Sequence, residues 1–255
     1  MTATARVDPR IRARRVAVVR AQGRRRLRVL VAAATAVGVA IGAWLLVTST
    51  LLDVDRIAVR GAGGVPEETI RSAAGIEAGD ALLLLDLGAV ERRVEQVPSV
   101  LEAHAARELP DRVRITVVER EPAAWASRGD GTMAILDRTG RVIADAAGDA
   151  PPALPEVQGL ARLPAAGRTS TRGGTATGVL DDLAPELRAR VAAVAVSGGA
   201  VVLRLDDGVE VRLGPARGVA GKARTALAVL TTLGDAPVAY VDVRVPSAPV
   251  TGSTP

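Results

Sequence analysis

The sequence predicts an α+β protein with a single N-terminal transmembrane helix, then a β-α-α-β-β module, then a β-rich second domain with a terminal edge strand. Three observations support this prediction. A long uncharged run follows a strongly basic tail, apolar residues then recur at helical spacing, and apolar and polar residues alternate in several later segments. The predicted boundaries are 1–28 for the tail, 29–52 for the helix, 53–121 and 122–246 for the two domains, and 247–255 for a disordered end.

The membrane helix is predicted from the distribution of charge. Met1–Arg28 contains ten arginines and one aspartate, whereas Val29–Leu52 contains no charged residue. As a helix, these 24 residues span about 36 Å, which exceeds the roughly 30 Å of a bilayer's hydrocarbon core. Basic residues beside a first span stay in the cytoplasm. We therefore expect an uncleaved plasma-membrane anchor with a cytoplasmic N-terminus and extracytoplasmic domains.

A cleaved signal peptide is the alternative interpretation, and Arg24–Arg26 before an apolar run is also typical of twin-arginine export signals. Signal peptides, however, have apolar cores of only about 7–15 residues. Within the predicted span, Ala34, Gly38 and Gly42 are spaced four residues apart. Small residues at this spacing allow another helix to approach closely, so these three are predicted helix-packing residues.

The rest of the chain differs in charge from its tail. The full sequence carries +5 and its first 28 residues carry +9, which leaves −4 for Val29–Pro255. The basic tail fits attraction to anionic lipid headgroups, and it lacks the interleaved aromatic residues of a nucleic-acid site. The chain has no cysteine and one histidine, which excludes a thiolate nucleophile and argues against zinc sites and catalytic triads. We expect no cofactor, no metal, no nucleic acid and no small-molecule substrate.

The first domain is predicted from short elements in a clear order. Val54–Val59 is typical of a strand, and Gly61–Gly64 forms the turn that ends it. A helix then begins near Pro66 and ends at Gly75, because Pro and acidic residues favour a first turn and Gly favours a helix end. The remaining elements are a helix at Leu87–Gln96, a strand at Val100–Arg107, a turn at Leu109–Asp111 and an alternating strand at Arg112–Glu119.

The second domain is predicted to consist mostly of strands. Its expected elements are strands at Ala124–Ser127, Met133–Leu136 and Arg141–Ala144, a hairpin of Val201–Leu205 and Val209–Leu213, and a helix at Gly218–Leu233. Ala165–Gly178 is rich in Gly, Thr and Arg, so we expect a mobile loop there. A short helix is expected around Val179–Leu183.

The last predicted strand, Val238–Val245, is the candidate partner-binding segment. Its alternation points the valines inward and Tyr240 and Arg244 outward. A strand at a sheet edge presents unpaired N–H and C=O groups, to which an extended segment of another protein adds by β-augmentation. Tyr and Arg often anchor interfaces; the alternative is that this strand only completes the sheet. The predicted partner-binding residues are Tyr240, Val241, Asp242, Val243, Arg244 and Val245.

The other polar candidates have structural explanations. His104 is expected on the surface of its strand, without metal-ligand partners at suitable spacing. Asp206-Asp207-Gly208 is typical of a hairpin turn rather than of a carboxylate pair. Gly61–Gly64 lacks the lysine that completes a phosphate-binding loop. We therefore do not expect an enzyme.

A series of motifs runs through the chain in a characteristic order. The motifs are Val54–Gly61, Val97–Val100, Leu109-Pro110, Val118–Trp125, Ile135–Val142, Leu154-Pro155, Gly159, Asp207–Val209, Leu213-Gly214, Lys222 and Tyr240–Arg244. Together they resemble the bacterial FtsQ/DivIB cell-division family, in which a POTRA (polypeptide-transport-associated) module precedes a β domain. The similarity runs from about residue 27 to 248, and the Arg-rich, Ala-rich composition is typical of GC-rich, actinobacterial members. Ala165–Gly178, as an insert, and Val245-Pro246, which ends the last strand early, depart from the family pattern.

The resemblance implies a non-catalytic scaffold of the division complex at the septum. In the family, the POTRA module supports recruitment to the septum. The last strand region of the β domain receives a segment of FtsB, which is itself paired with FtsL, and that complex controls the septal peptidoglycan synthases FtsW and FtsI. The expected partners are therefore FtsB and FtsL directly, and FtsW and FtsI indirectly.

Three other protein classes are alternatives to this one. A POTRA-bearing secretion or assembly factor normally carries several such modules, and one is predicted here. A wall-acting enzyme on the same anchor needs a polar catalytic cluster, which the sequence does not indicate. A membrane-anchored signalling receptor or regulator is the third alternative.

Overall fold

The computed structural model describes residues 27–42, 44–45, 52–129, 131–147, 153–160, 162–234 and 236–253. Residues 27–42 and 44–45 are helical (α1), and their side chains are exposed. Among the helices of these described ranges, none has the length and apolar character needed to cross a bilayer. Residues 1–26 of the predicted tail, and residues 43 and 46–51 of the predicted span, lie outside the described residues.

The next part of the chain has the predicted order β-α-α-β-β. Its elements are β1 (Arg56–Arg60), α2 (Glu67–Ala74), α3 (Leu87–Val94), β2 (Val100–Glu108) and β3 (Arg112–Glu119). The strands form a sheet in the order β1-β3-β2. Val113, Ile115 and Val117 of β3 are buried, which confirms the alternation that predicted this strand.

The two short helices begin and end where local chemistry favours it. The acidic pair Glu67–Glu68 lies in the first turn of α2, where free N–H groups favour negative charge. The helix ends at Gly75, whose φ of 59° is a left-handed conformation that glycine adopts readily. Ile70 of α2 and Val90 and Val94 of α3 are buried, so each helix contributes one apolar face to the core.

Glu119, the last residue of β3, fixes the glycine turn that follows β1. Its carboxylate accepts hydrogen bonds from the backbone N–H groups of Gly63 (2.8 Å), Gly64 (3.0 Å) and Val65 (3.0 Å). Burial raises the pKa of Glu119, but the three backbone donors outweigh it and hold that pKa below its ordinary value. The turn is thus structural, as predicted, while the role of Glu119 was not predicted.

The remaining strands form one nine-stranded sheet. They are β4 (Pro122–Ser127), β5 (Thr132–Asp137), β6 (Val142–Ala147), β7 (Glu156–Gln158), β8 (Val191–Ser197), β9 (Ala200–Leu205), β10 (Glu210–Pro215), β11 (Tyr240–Asp242) and β12 (Val250–Gly252). Their order across the sheet is β12-β11-β10-β9-β8-β7-β4-β5-β6. Strand β7 is parallel to β4 and β8, and β10 is parallel to β11, whereas the other neighbours are antiparallel.

Three helices belong to the same part of the chain, namely α4 (Thr171–Asp181), α5 (Pro185–Arg188) and α6 (Val219–Leu233). Helix α6 was predicted, and its Ala223, Ala226 and Leu230 are buried in one hydrophobic core with the side chains of β9, β10 and β11. Because α6 packs on β10 and β11, it supports the end of the sheet where the candidate site lies.

The predicted mobile loop at Ala165–Gly178 is wrong for most of its length, because residues 171–181 form α4. The Oγ of Ser170 caps this helix by accepting a hydrogen bond from the N–H of Gly173 (3.1 Å). Val179 and Leu180 are buried in the core of the sheet. Burial of this face therefore outweighs the poor helix propensity of a segment rich in Gly and Thr.

The predicted terminal edge strand is also wrong in two respects. Strand β11 spans only Tyr240–Asp242, and it is not at the edge, because β12 lies outside it. The chain turns back where the N–H of Ala248 donates to the carbonyl of Val245 (3.0 Å), and it then pairs with β11. Residues 250–252 are therefore ordered within the segment that was expected to be disordered, while residues 254–255 lie outside the described part.

By contact density, the described residues group into two compact units. One includes Glu77–Asp86 and Ala106–Arg114 with the described residues up to Ala58; within it, Arg56 and Asp111 form an ion pair of 2.6 Å. The other includes Val59–Ile76, Leu87–Ala105 and the described residues from Ile115 onward, and it contains the nine-stranded sheet.

Candidate partner-binding site

The candidate site lies at the β12 end of the nine-stranded sheet. Strand β12 is antiparallel to β11, and the paired residues are Tyr240 with Gly252, Val241 with Thr251, and Asp242 with Val250. On its other side, β11 is parallel to β10. The outer side of β12 therefore has no strand partner among the described residues. This outer side presents free backbone N–H and C=O groups. The sequence predicted such groups on the preceding strand, β11, and not on β12.

The structure separates the six predicted partner-binding residues into two groups. Val241 and Val243 are fully buried in the core, as their alternation predicted. Tyr240 and Asp242 are half-buried, and Arg244 is exposed. Val245 was predicted to point inward, but it is 58% exposed, because the strand ends at Asp242 and its alternation does not continue that far. The core valines are thus unavailable to a partner in the folded state.

Tyr240 is held between the two neighbouring strands. The guanidinium of Arg212 on β10 lies 3.9 Å from the centre of the Tyr240 ring, which is a cation–π contact. On the β12 side, a Cβ on Gly252 would clash with Cε1 of that ring. Only glycine fits there without a shift of the ring, so Gly252 allows β12 to approach Tyr240 closely. Tyr240 therefore helps to order this sheet edge in the protein without a partner.

Asp242 and Arg244 form a local ion pair beside this edge. The Nη2 of Arg244 lies 2.7 Å from Oδ2 of Asp242, and the backbone N–H of Arg244 donates to Oδ1 (3.0 Å). The hydrogen bond from the Arg244 side chain lowers the pKa of Asp242, with burial opposing it and the charge of Arg212 adding to it. The same pair raises the pKa of Arg244. Arg244 therefore already has an ion-pair partner within its own chain.

The exposed apolar surface at this edge comes from two valines. Val245 and Val250 are 58% and 55% exposed, and they lie on either side of the turn that leads into β12. Exposed apolar side chains next to a free strand edge are the features that β-augmentation uses, since backbone groups supply affinity and side-chain contacts supply specificity. Val250 was not among the predicted residues, because the three-residue strand that follows Pro249 is too short to show alternation.

Lys222, the only lysine of the chain, fixes the end of β10. It lies on α6 and is buried, and its Nζ donates to the carbonyl oxygens of Leu213 and Pro215, both at 2.8 Å. A buried ammonium needs such acceptors, because desolvation of its charge is costly. Lys222 thus ties α6 to the strand that supports β11, a structural role that the sequence did not reveal.

The predicted helix-packing residues lie apart from this site. Ala34, Gly38 and Gly42 are on α1 and are exposed. A Cβ placed on Gly38 or Gly42 would meet no heavy atom within 4 Å. Their proposed contact with another helix stays a prediction.

The other polar candidates lie where the sequence indicated. His104 is on the surface of β2, with its Nε2 3.2 Å from a carboxylate oxygen of Glu102. Asp206-Asp207-Gly208 connects β9 to β10, and Asp207 accepts from the N–H of Val209 (3.1 Å) as a turn residue does. Within the described ranges, no three His, Cys, Asp or Glu side chains converge as metal ligands do.

Two family models match the chain. The model described as "POTRA domain, FtsQ-type" matches residues 52–120, and the model described as "Cell division protein FtsQ/DivIB, C-terminal" matches residues 123–244. Together they cover the β-α-α-β-β module and the nine-stranded sheet up to β11.

Curated relatives named "Cell division protein FtsQ" are similar to the chain over most of its length. The protein of Streptomyces bingchenggensis is 31% identical over 232 residues, which are 89% of this chain and 86% of that protein. Those of Mycobacteroides abscessus and Mycolicibacterium smegmatis are 34% and 33% identical over 78% and 82% of this chain. The chain spans 62% of the length of each of these two mycobacterial relatives.

Part of the chain is also similar to a solved structure. It is the major extracytoplasmic domain of the bacterial cell-division protein DivIB from Geobacillus stearothermophilus. It is 20% identical and covers 45% of this chain and 94% of that domain, with a TM-score of 0.34.

Proposed function

The chain belongs to the FtsQ/DivIB family of bacterial cell-division proteins, and we propose that it is a non-enzymatic, bitopic membrane scaffold of the division complex. In this proposal, its extracytoplasmic domains bind an FtsB/FtsL-type complex at the septum. Through that complex the protein helps to control septal peptidoglycan synthesis, and so acts indirectly on FtsW and FtsI. The observation that supports partner binding best is the open outer edge of β12.

The docking surface in this proposal is β12 together with Val245 and Val250. The free backbone groups of β12 pair with an extended segment of the FtsB-type partner, which becomes a tenth strand of the sheet. Val245 and Val250 provide apolar contacts next to that ladder. Tyr240 and Arg244 keep a role in this version, because they order and flank the edge, whereas Val241 and Val243 stay in the core.

The membrane anchor is proposed from the sequence. The uncharged residues 29–52 follow a tail of ten arginines, which supports a span with its N-terminus in the cytoplasm. Ala34, Gly38 and Gly42 give that span a face of small residues for another helix. The same arrangement places the β12 edge on the outer side of the membrane.

Co-purification of the full-length protein with FtsB/FtsL-type partners from membranes tests the docking surface. Val245→Asp combined with Val250→Asp places two charges on the proposed contact. We expect at least about tenfold less partner to be retained, because burial of each valine is worth roughly 1.5 kcal/mol or more. The thermal unfolding midpoint should change little, because both side chains are already more than half exposed.

A matched control removes the effect of added charge. Leu84→Asp combined with Leu109→Asp changes two side chains that are 62% and 66% exposed and that lie outside the nine-stranded sheet. This control should retain the partners as the unchanged protein does. Full retention by the double valine variant would refute the assignment of the docking surface.

A further inference from the structure

A group of arginines without partners surrounds the start of α4. In the part of the chain that the structure describes, the side chains of Arg141, Arg162, Arg168 and Arg172 make no hydrogen bond or ion pair. By contrast, Arg128 and Arg138 each pair with a carboxylate, at 2.7 and 2.8 Å. From Val157 to Leu180 the sequence contains no aspartate or glutamate. The segment therefore has an uncompensated positive charge.

Two of these arginines line a cleft of about 570 Å³. Leu160 and Arg162–Pro164 form one wall, and Thr169–Arg172 form the other. We call this feature the arginine cleft. It combines guanidinium groups from both walls with the hydroxyl groups of Thr169 and Thr171 and the apolar surfaces of Leu160, Leu163 and Pro164. The first turn of α4 also has N–H groups without an intrahelical acceptor, which adds donors to the same wall.

The walls of the arginine cleft are fixed by hydrogen bonds to neighbouring strands. Arg128 donates to the carbonyl oxygens of Leu163 (3.3 Å) and Pro164 (2.9 Å). The N–H of Gly167 donates to Val142 O (2.8 Å), and the N–H of Val142 donates to Arg168 O (2.9 Å). The arginines thus project from an ordered backbone, so a ligand would not need to order the loop first.

The carboxylates near the arginine cleft are already occupied. Asp145 pairs with Arg128 at 2.7 Å, and Asp137 accepts hydrogen bonds from Thr139, Arg141 N–H and Arg120. Because these two carboxylates have partners of their own, they do not neutralise the guanidinium groups of Arg162 and Arg172.

We propose that the arginine cleft binds the phosphate group of a phosphate ester. Guanidinium groups bind phosphate oxygens in bidentate fashion, and a phosphate offers more acceptor oxygens than a carboxylate to donors from two walls. The cleft is larger than a phosphate alone, and Leu160, Leu163 and Pro164 provide an apolar surface for an organic substituent. Either a phospholipid headgroup or a soluble phosphate ester has this chemistry.

Calorimetric titration of the full-length protein in an uncharged detergent tests this binding. The probes are inorganic phosphate, glycerol phosphate and a water-soluble, short-chain phosphatidylglycerol. Arg162→Gln combined with Arg172→Gln should weaken binding at least about tenfold, since each charged hydrogen bond is worth more than a neutral one. Binding should also weaken as ionic strength rises. The control pair, Arg60→Gln with Arg217→Gln, removes the same charge from two exposed arginines elsewhere and should bind as the unchanged protein does.

The three probes separate the two sources of phosphate. Tighter binding of the short-chain lipid than of glycerol phosphate identifies a lipid headgroup, whereas equal binding identifies a soluble ester, and both results support the proposal. Absence of binding by all three probes up to about 10 mM, a range that covers weak sites, would overturn it. Equal loss in the cleft pair and in the control pair would overturn it as well, because it would show attraction to net charge alone.

Discussion

Asp137, at the end of β5, is the acceptor for a network of hydrogen bonds in the nine-stranded sheet. Its carboxylate accepts from the N–H (2.8 Å) and Oγ1 (2.6 Å) of Thr139, from the N–H of Arg141 (3.0 Å) and from Nη1 of Arg120 (2.9 Å). Arg120 also donates to the carbonyl of Val100 (3.0 Å) on β2. Burial raises the pKa of Asp137, but these donors outweigh it and hold that pKa below its ordinary value.

Asp137→Asn should lower the free energy of unfolding by about 2 kcal/mol at neutral pH. The amide keeps the shape of the side chain but loses its charge, which leaves the largely buried guanidinium of Arg120 without an anion. Chemical unfolding of both proteins over a pH series measures the effect. Since the folded-state pKa is lowered, the stabilisation is present above the unfolded-state pKa and is lost as the pH falls through the folded-state pKa. The two unfolding curves should therefore converge in acid.

Asp181→Asn is the matched control for this prediction. Asp181 pairs with Arg188 at 3.3 Å, and both side chains are about 40% exposed. Exposed pairs contribute little, so the change in stability should stay within about 0.5 kcal/mol. A loss of the same size in both variants, or a loss at Asp137 that does not depend on pH, would contradict the role of the buried network.

Sequence patterns predicted some helices and strands correctly and missed others. Strand β3 and the β9-β10 hairpin were predicted because alternation over five or more residues is a strong signal. Helix α4 was missed because its three glycines and three threonines resemble a loop. One of those glycines has a packing role, since a Cβ on Gly174 would lie 2.8 Å from the carbonyl oxygen of Thr139. Close approach between helix and turn is a tertiary property that no local pattern reports.

For the candidate site, the sequence predicted the buried face of β11 but not the neighbouring strand β12. The alternation of Val241 and Val243 identified the buried face of β11 correctly. The position of β11 within the sheet depends on β12, which has three residues and follows Pro249. Pairing between short segments is decided by neighbours in space, so sequence alone assigned the edge to the wrong strand.

A truncated protein that ends at Ala248 tests whether the docking edge is β12 or β11. This truncation removes the residues that pair with Tyr240, Val241 and Asp242. If partners add to β12, co-purification of the FtsB/FtsL-type complex should fall to background, and the thermal unfolding midpoint should fall by only a few degrees. Unchanged or increased co-purification would instead place the docking edge on β11.

At the scale of the whole molecule, positive charge is concentrated at the N-terminal end of the chain. The basic residues of the first 28 positions account for more than the entire net charge, and the remaining residues carry −4. The domain boundary proposed at 121–122 lies between the strands of the two sheets. These features are consistent with the proposal that the protein presents binding surfaces at a membrane.

The central claim is that the outer edge of β12 receives a strand of a division partner. Site-specific photo-crosslinking in dividing cells tests it most directly, with a photoreactive amino acid placed at Val250 and, as a control, at Leu84; both side chains are more than half exposed. The account predicts a crosslink from position 250 to an FtsB-type protein at the septum and none from position 84. Absence of that crosslink from position 250, with the protein still at the septum, would contradict the account.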